Sequence, residues 1–268
     1  MSWEQFVLLT AASLALMVAG MAVAWVIQQR SGQSGWVDVC WTFFTGIAGA
    51  AAALAAPLNG ISGPRPWVVA ALILFWTLRL GLHIAARTRG APEDPRYAKM
   101  RADWGDDASR RMFWLLQIQA MASLPLIFAV ALAAWNDRVF GLQDGIAIVV
   151  FVIAVAGEGL ADAQLRRFAR DTANRGRVCQ AGLWRWSRHP NYFFEWLVWT
   201  AFLVFAINAD GSNLGGLGSI AAPLTMYWLL TRVSGIPLLE DHMVRKYGDP
   251  YRTYQRTTSA FFPMPPAS

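Results

Sequence analysis

Apolar residues recur along this chain in runs too long for the helices of a small soluble domain and too continuous for alternating strands. Runs near 6–28, 36–58, 67–86, 112–135, 144–165, 190–208 and 215–238 each come close to the roughly 20 residues that carry a helix across a hydrocarbon core. A strand of a membrane barrel alternates apolar and polar positions over about ten residues, and none of these runs does. With every backbone polar group in lipid needing an internal partner, the α-helix remains. The pattern predicts an all-α, polytopic membrane helix bundle of about seven transmembrane helices. Pro64 and Pro66 interrupt the chain before the third run, and Pro190 opens the sixth, where a first-turn proline is tolerated. The first run follows Glu4 without a basic stretch ahead of it, so it reads as a retained span rather than a cleaved signal. No internal repeat or low-complexity linker divides residues 1–268, which are expected to form one membrane domain.

Composition agrees. Hydrophobic residues make up 56% and charged residues 15%, against roughly 25% charged in a typical soluble domain. The 14 tryptophans suit aromatic belts at lipid–water interfaces. A net charge of +6 would allow a nucleic-acid partner, but the positions of the charges argue against one. Of 23 basic residues, nineteen lie at Arg30, in the loops 87–111 and 166–189, and in the tail after 240. The alternate links hold only Arg65 and Arg138, and Arg79 and Arg232 fall inside runs. The positive-inside rule then places the amino terminus outside and the carboxyl terminus in the cytosol, with an odd number of spans. Cys40 lies in an apolar run and Cys179 in a basic loop, so no disulfide is expected; two cysteines and three histidines also give no metal-ligand spacing.

Orientation alone does not call for what is interleaved with the basic residues. Loop 87–111 also carries Glu93, Asp94, Asp103, Asp106 and Asp107 with Tyr97 and Trp104, the mixture of a folded polar cap. Inside the runs, Asp38 stands one turn into the second, Arg79 and His83 share a face of the third, and Gln117 and Gln119 add polarity to the fourth. Intramembrane ionisable residues are costly and mark candidate sites. Glu158, Asp162 and Arg166 follow one another at four-residue spacing, which serves equally a salt-bridge ladder or a site.

The densest constellation is Gly182-Leu183-Trp184-Arg185-Trp186-Ser187-Arg188-His189-Pro190-Asn191-Tyr192, followed by Glu195. After the last run come Glu240, Tyr247-Gly248-Asp249-Pro250-Tyr251, Tyr254 and Arg256. Asp249 reads as an N-cap with Pro250 at the first helical position, putting Tyr247, Tyr251 and Tyr254 near one face of a short helix. Guanidinium groups such as Arg166, Arg177, Arg188 and Arg256 suit a pyrophosphate. His189, Asn191, Tyr192 and Tyr251 suit base or ribose, and Glu195 and Glu240 suit hydroxyls or an amide. Together they make a candidate dinucleotide lining over about 150–265. Gly216-x-Gly218-x-x-Ala221 matches a dinucleotide fingerprint by letter, but no strand precedes it, and it reads as small-residue helix packing.

The segment GLWRWSRHPNY with its following Glu195, and the tail LLEDHMVRKYGDPYRTY, resemble the membrane steroid 5α-reductase family and its bacterial relatives of the DUF1295 type. In looser form the pattern is similar to isoprenylcysteine and phospholipid methyltransferases. The resemblance is strong over 150–265 and extends along the chain in the bacterial branch. It implies an NADPH-dependent reductase of a carbon–carbon double bond conjugated to a ketone in a steroid or other enone lipid. The expected location is a bacterial inner membrane, and no obligatory protein partner is evident. Asp162, Arg166, Asn191 and Glu195 match reductase positions, and Arg79 and Arg89 resemble a paired basic position. Asp38 resembles the glutamate beside the steroid ketone, in a role that needs a protonated acid. The Gln-Glu-Leu-Pro context is missing, and a tyrosine expected to act with that acid falls near Trp76. Asp38 is therefore the candidate catalytic acid, with Tyr97 a second donor. An S-adenosylmethionine-dependent methyltransferase is the alternative, although a cofactor without phosphates needs fewer arginines. A transporter or receptor would spread polar groups through the spans, whereas here they crowd one end.

Overall fold

In a computed structural model, described over residues 1–90 and 93–267, all regular structure is helical. Ala91, Pro92, Ser268 and the side chains of Pro95 and Arg96, which belong to the expected polar loop and tail, lie outside the described residues. The chain divides into two compact units, Met1–Gly145 with Phe202–Thr225, and Ile146–Ala201 with Met226–Ser268. One domain was the sequence expectation. The second unit nonetheless covers most of the 150–265 region singled out for the motif.

The first unit contains α1 (Trp3–Ser31), α2 (Gly35–Leu58), α3 (Arg65–Thr88), α4 (Pro95–Trp104), α5 (Ala108–Ala122) and α6 (Leu124–Ala134). Small residues let these helices approach closely, as expected where lipid supplies no hydrophobic drive between them. A Cβ on Gly46 of α2 would fall 1.6 Å from the Thr77 Oγ1 of α3, and one on Gly20 of α1 would fall 2.3 Å from the Phe44 ring. Met17, Met21, Ile73, Trp76, Leu116 and Leu126 fill the core. Large apolar side chains such as Leu8, Phe75, Leu82 and Ile118 are exposed, which suits faces turned to acyl chains.

The second unit holds most of α7 (Leu142–Arg170) and of α8 (Pro190–Ala206), the end of α9 (Ala221–Trp228), α10 (Ile236–Tyr247) and α11 (Asp249–Thr257). A π-helical turn at Leu229–Val233 interrupts the last apolar run. Its core includes Phe151, Trp184, Trp199, Tyr251 and Tyr254.

Several boundaries differ from the sequence reading. Tyr97 lies in a helix, α4, rather than a loop. The fourth run divides at Ser123, whose hydroxyl donates to the Gln119 carbonyl at 2.8 Å and accepts the Trp41 indole at 2.7 Å. Six helices among the described residues are long and apolar enough to cross a membrane, against the seven expected. The missing one is α8, which at 17 residues sits at the short end of spanning length. The N-cap of α11 is Gly248, with Asp249 and Pro250 in the first turn, so the expected cap is off by one residue. Gly248 adopts φ 63°, ψ −134°, a conformation open to glycine and hostile to a side chain. Tyr247 ends α10 instead of sharing a helix with Tyr251 and Tyr254. The fingerprint-like glycines form a 3₁₀ segment, Leu214–Ile220, where a Cβ on Gly216 would lie 2.1 Å from the Ala206 carbonyl oxygen. Small-residue packing explains them.

Arg65 and Arg138, the two basic residues of the links expected outside, are not loose surface charges. The Arg65 guanidinium grips Asp144 at 2.8 and 3.0 Å, both side chains fully buried. Arg138 reaches the same carboxylate at 3.2 Å, and the Gly141 amide donates to it at 2.8 Å.

Candidate functional site

In the first unit the polar residues gather where α2 begins and α4 passes. Asp38 lies in the first turn of α2, a position where the helix dipole favours a carboxylate. It is half-buried. The Tyr97 hydroxyl of α4 donates to Asp38 Oδ1 at 3.1 Å, and Tyr97 is only 4% exposed. The two residues proposed as catalytic from sequence are thus brought together across 59 positions of chain.

Glu93 holds this arrangement. Its carboxylate accepts the Ser34 backbone N–H at 3.0 and 3.3 Å, satisfying an amide that would otherwise be orphaned at the start of α2. The buried Gln28 amide donates to the Ser34 hydroxyl at 3.3 Å, and Arg101 stands 3.8 Å from Glu93. Gly35 passes so close to Thr88 that an added Cβ would meet its hydroxyl at 2.5 Å. Sequence reasoning counted Glu93 among the cap acids but missed its bracing role; the signal available was an acid in the loop just ahead of α4. Trp76, where a second tyrosine was sought, is fully buried and meets Trp41 edge-on at 6.3 Å. Arg79 is half-buried on α3, and Arg89 is exposed just beyond its end.

In the second unit the motif and tail are laced to one another. The Tyr254 hydroxyl donates to the carbonyls of Trp184 and Ser187, the Ser187 hydroxyl donates to the Phe261 carbonyl at 2.9 Å, and the Arg188 N–H donates to the Ser259 carbonyl at 2.8 Å. The Trp184 indole donates to the Ala161 carbonyl of α7 at 2.9 Å. At the centre, Arg188 forms a two-pronged ion pair with Glu240 at 2.6 and 3.2 Å and spends another nitrogen on the carbonyls of Gln255 and Thr258. His189 Nε2 lies 3.0 Å from the same carboxylate, and the Gln255 amide donates to it at 2.8 Å.

These contacts set the charges. Burial pushes Glu240 up, but hydrogen bonds from His189, Arg188 and Gln255, with the Arg188 charge, prevail and hold it down to about 2. Burial pushes His189 down against the pull of Glu240. A neutral His189 then donates its Nε2 proton to the carboxylate. Burial raises the Tyr251 and Tyr254 hydroxyls above the ordinary phenol value. Arg188, His189, Glu240 and Tyr251 therefore converge as the sequence suggested, but their polar atoms meet one another and the tail. Little of the Arg188–Glu240 pair remains to grip a phosphate.

Other residues of the expected lining are placed differently. The Asn191 amide donates to Asp162 Oδ1 at 3.4 Å, joining α8 to α7. Glu195 is buried and accepts the Trp199 indole at 3.0 Å. Tyr192 stacks on the His189 ring at 5.4 Å. Arg166, Arg177 and Arg256 are exposed, and Arg256 donates to the Thr253 hydroxyl at 2.9 Å. Cys40 and Cys179 are free thiols, and no group of metal-ligating side chains forms among the described residues.

A helical chain with six segments able to cross a bilayer, and ionisable clusters at helix ends, is an integral membrane protein. Residues 24–258 match the family described as "Protein of unknown function (DUF1295)", and the chain belongs to that family. It is also 30% identical over 239 residues to "Uncharacterized protein C594.04c" of Schizosaccharomyces pombe, covering 76% of this chain and 64% of the relative. The chain thus spans a little under two thirds of the length of the curated relative it matches. No solved structure matches.

Proposed function

We propose that the protein is an NADPH-dependent reductase of a carbon–carbon double bond conjugated to a ketone in a lipid-soluble substrate. The observation that carries this reading is the Tyr97–Asp38 pair, a phenol and a carboxyl 3.1 Å apart at the polar end of apolar helices. The resemblance of the motif and tail to membrane steroid 5α-reductases supports it.

NADPH, when bound, supplies hydride to the β-carbon. The task left to the chain is to stabilise negative charge at the carbonyl oxygen and to help return a proton at the α-carbon. A positioned donor suits the first task because its hydrogen bond strengthens as the enolate forms. The Tyr97 hydroxyl, which donates to Asp38 Oδ1, would turn that proton to the substrate carbonyl oxygen as the enolate gathers charge, with Asp38 holding the phenol in place. Burial of Tyr97 keeps water from competing for the donor.

The exposed Arg166, Arg177 and Arg256 fit phosphate oxygens, and Asn191 with Asp162 fits the hydroxyls or amide of a nucleotide. Arg79 and Arg89 are candidates of the same kind in the first unit. Apolar faces suit a steroid or other enone lipid arriving through the bilayer. The basic-residue distribution supports an amino terminus outside and a carboxyl terminus in the cytosol, with α8 completing seven crossings; the resemblance to the bacterial branch favours an inner membrane.

The test is a thermal-shift titration of purified protein with NADPH, NADH and S-adenosylmethionine, followed by single-turnover NADPH oxidation with a 3-oxo-4-ene steroid. Stabilisation by NADPH and oxidation on adding enone are expected. Binding of S-adenosylmethionine alone would replace this reading with a membrane methyltransferase.

A further inference from the structure

The first unit carries a groove that the proposed chemistry does not use. It has a volume of about 460 Å³ and is lined by Trp104, Arg110, Arg111, Trp114, Leu115 and Ile118. We propose that it binds an anionic phospholipid, the phosphodiester held by Arg110 and Arg111 and an acyl chain laid along Trp114, Leu115 and Ile118.

The sequence of α5 builds this site. Met112, Leu116 and Ala120 recur every four residues and are buried. The Trp25 indole of α1 donates to the Ser109 carbonyl at 3.0 Å and its ring meets Phe113 edge-on at 5.6 Å, which fixes the roll of α5. That roll turns Arg110, Trp114 and Ile118, at four-residue spacing, away from the core. Trp114 is 62% exposed and Ile118 63%. From Arg110 to Ile118 is about 12 Å along the axis, enough for a headgroup and the first carbons of a chain. Met121, also exposed, continues the apolar track one turn further.

Charge decides the class of lipid. Three acids lie nearby in sequence, but none lines the groove. Asp103 is paired with Lys99 at 3.1 Å. Asp107 meets Arg110 at 3.1 Å and stands 3.9 Å from Arg111, so one carboxylate faces two guanidinium groups. Their remaining N–H donors suit phosphate oxygens, which arginine grips with two parallel bonds. A choline headgroup could stack on the tryptophans, but the two arginines would repel it. Trp104 and Trp114 instead have the amphipathic rings that settle at the headgroup level.

The test titrates full-length protein in detergent with phosphatidylglycerol, phosphatidylcholine and glycerol 3-phosphate, reading bound lipid by native mass spectrometry. Wild type should retain phosphatidylglycerol over phosphatidylcholine, and glycerol 3-phosphate should not compete. The double variant Arg110→Gln, Arg111→Gln should lose phosphatidylglycerol affinity roughly thirtyfold, as two basic residues near a charged lipid surface imply. Arg252→Gln, which removes one exposed charge of the same kind on α11, should bind as wild type. Unchanged affinity in the double variant, equal retention of the two lipids, or competition by glycerol 3-phosphate would each overturn the proposal. Should the double variant not fold, Trp114→Leu serves in its place: weaker phosphatidylglycerol binding supports the site, and wild-type binding overturns it.

Discussion

Around Asp38 the acid and its phenol partner lie between two helices, with Glu93 bracing the backbone beside them. Around Glu240 several donors point at one carboxylate, among them both prongs of Arg188, the His189 ring and the Gln255 amide. Both clusters hold an ionisable group beside an aromatic one, and sequence alone gave the second the greater weight. The difference lies in what each cluster ties together. Glu240 is held as a carboxylate and acts as a structural hub that ties motif to tail. The Tyr97–Asp38 contact joins two helices of the first unit, whereas the Glu240 contacts join the motif to the tail.

The sharpest way to break this contrast is at the pair itself. Tyr97→Phe and Asp38→Asn should each lower single-turnover NADPH oxidation with an enone lipid by about 10²–10⁴-fold, the usual contribution of a positioned acid. Each should change thermal stability little, since one hydrogen bond contributes about 1 kcal/mol. Wild-type rates in both variants at saturating ligands would leave the pair structural and turn attention to His83.

At the hub the order should invert. Glu240→Ala takes the carboxylate from a part-buried Arg188 and should cost about 3 kcal/mol of stability, the low end for a broken buried pair. Thermal unfolding in detergent measures this, and a loss below about 1 kcal/mol would deny Glu240 the role of hub.

Acid should sharpen the same point. His189 is held below its ordinary value of 6.5, so its contribution is complete above that pH and is lost as pH falls. Glu240 is depressed from 4.5 to about 2, so its contribution is present above 4.5 and is lost as pH falls toward 2. Stability of the wild type should therefore decline as pH falls below 6.5, and Glu240→Gln should flatten the part between pH 4.5 and 2. A parallel decline in wild type and variant between pH 4.5 and 2 would contradict the depressed Glu240.

A smaller effect is expected at the exposed arginines. Arg166→Ala should weaken NADPH binding by about 1.5–3 kcal/mol without altering the melting temperature of the ligand-free protein. Unaltered binding there would move the phosphate site elsewhere. Orientation is checked by cysteine labelling at positions 103 and 174; modification from outside at either would reverse the cytosolic assignment of both loops.

Much of the architecture was legible in the chain itself. Unbroken apolar runs dictate helices because lipid offers no partner for a backbone amide, and that constraint acts locally. The helices α1, α2, α3 and α7 accordingly fall within a few residues of the expected spans. Where hydropathy is interrupted, the sequence was less decisive. Ser123 splits one run, a π-turn distorts another, and α8 ends at 17 residues, because local hydrogen bonds and neighbouring packing set those limits.

Residue types could nominate Asp38, Tyr97, Arg188, His189 and Glu240, but not say which would spend their donors on one another. A guanidinium reads the same in sequence whether it faces solvent like Arg177 or closes on a carboxylate like Arg188. The Tyr97–Asp38 contact bridges 59 positions, and the Arg188–Glu240 contact bridges 52. Such pairings depend on helix roll and on the path of the connecting loops, which no local pattern encodes. The sequence determined that this is a helical membrane protein with its polar groups crowded at helix ends. Only the folded chain decided which of those groups meet one another, because the partners of a polar side chain are the neighbours that tertiary packing brings together.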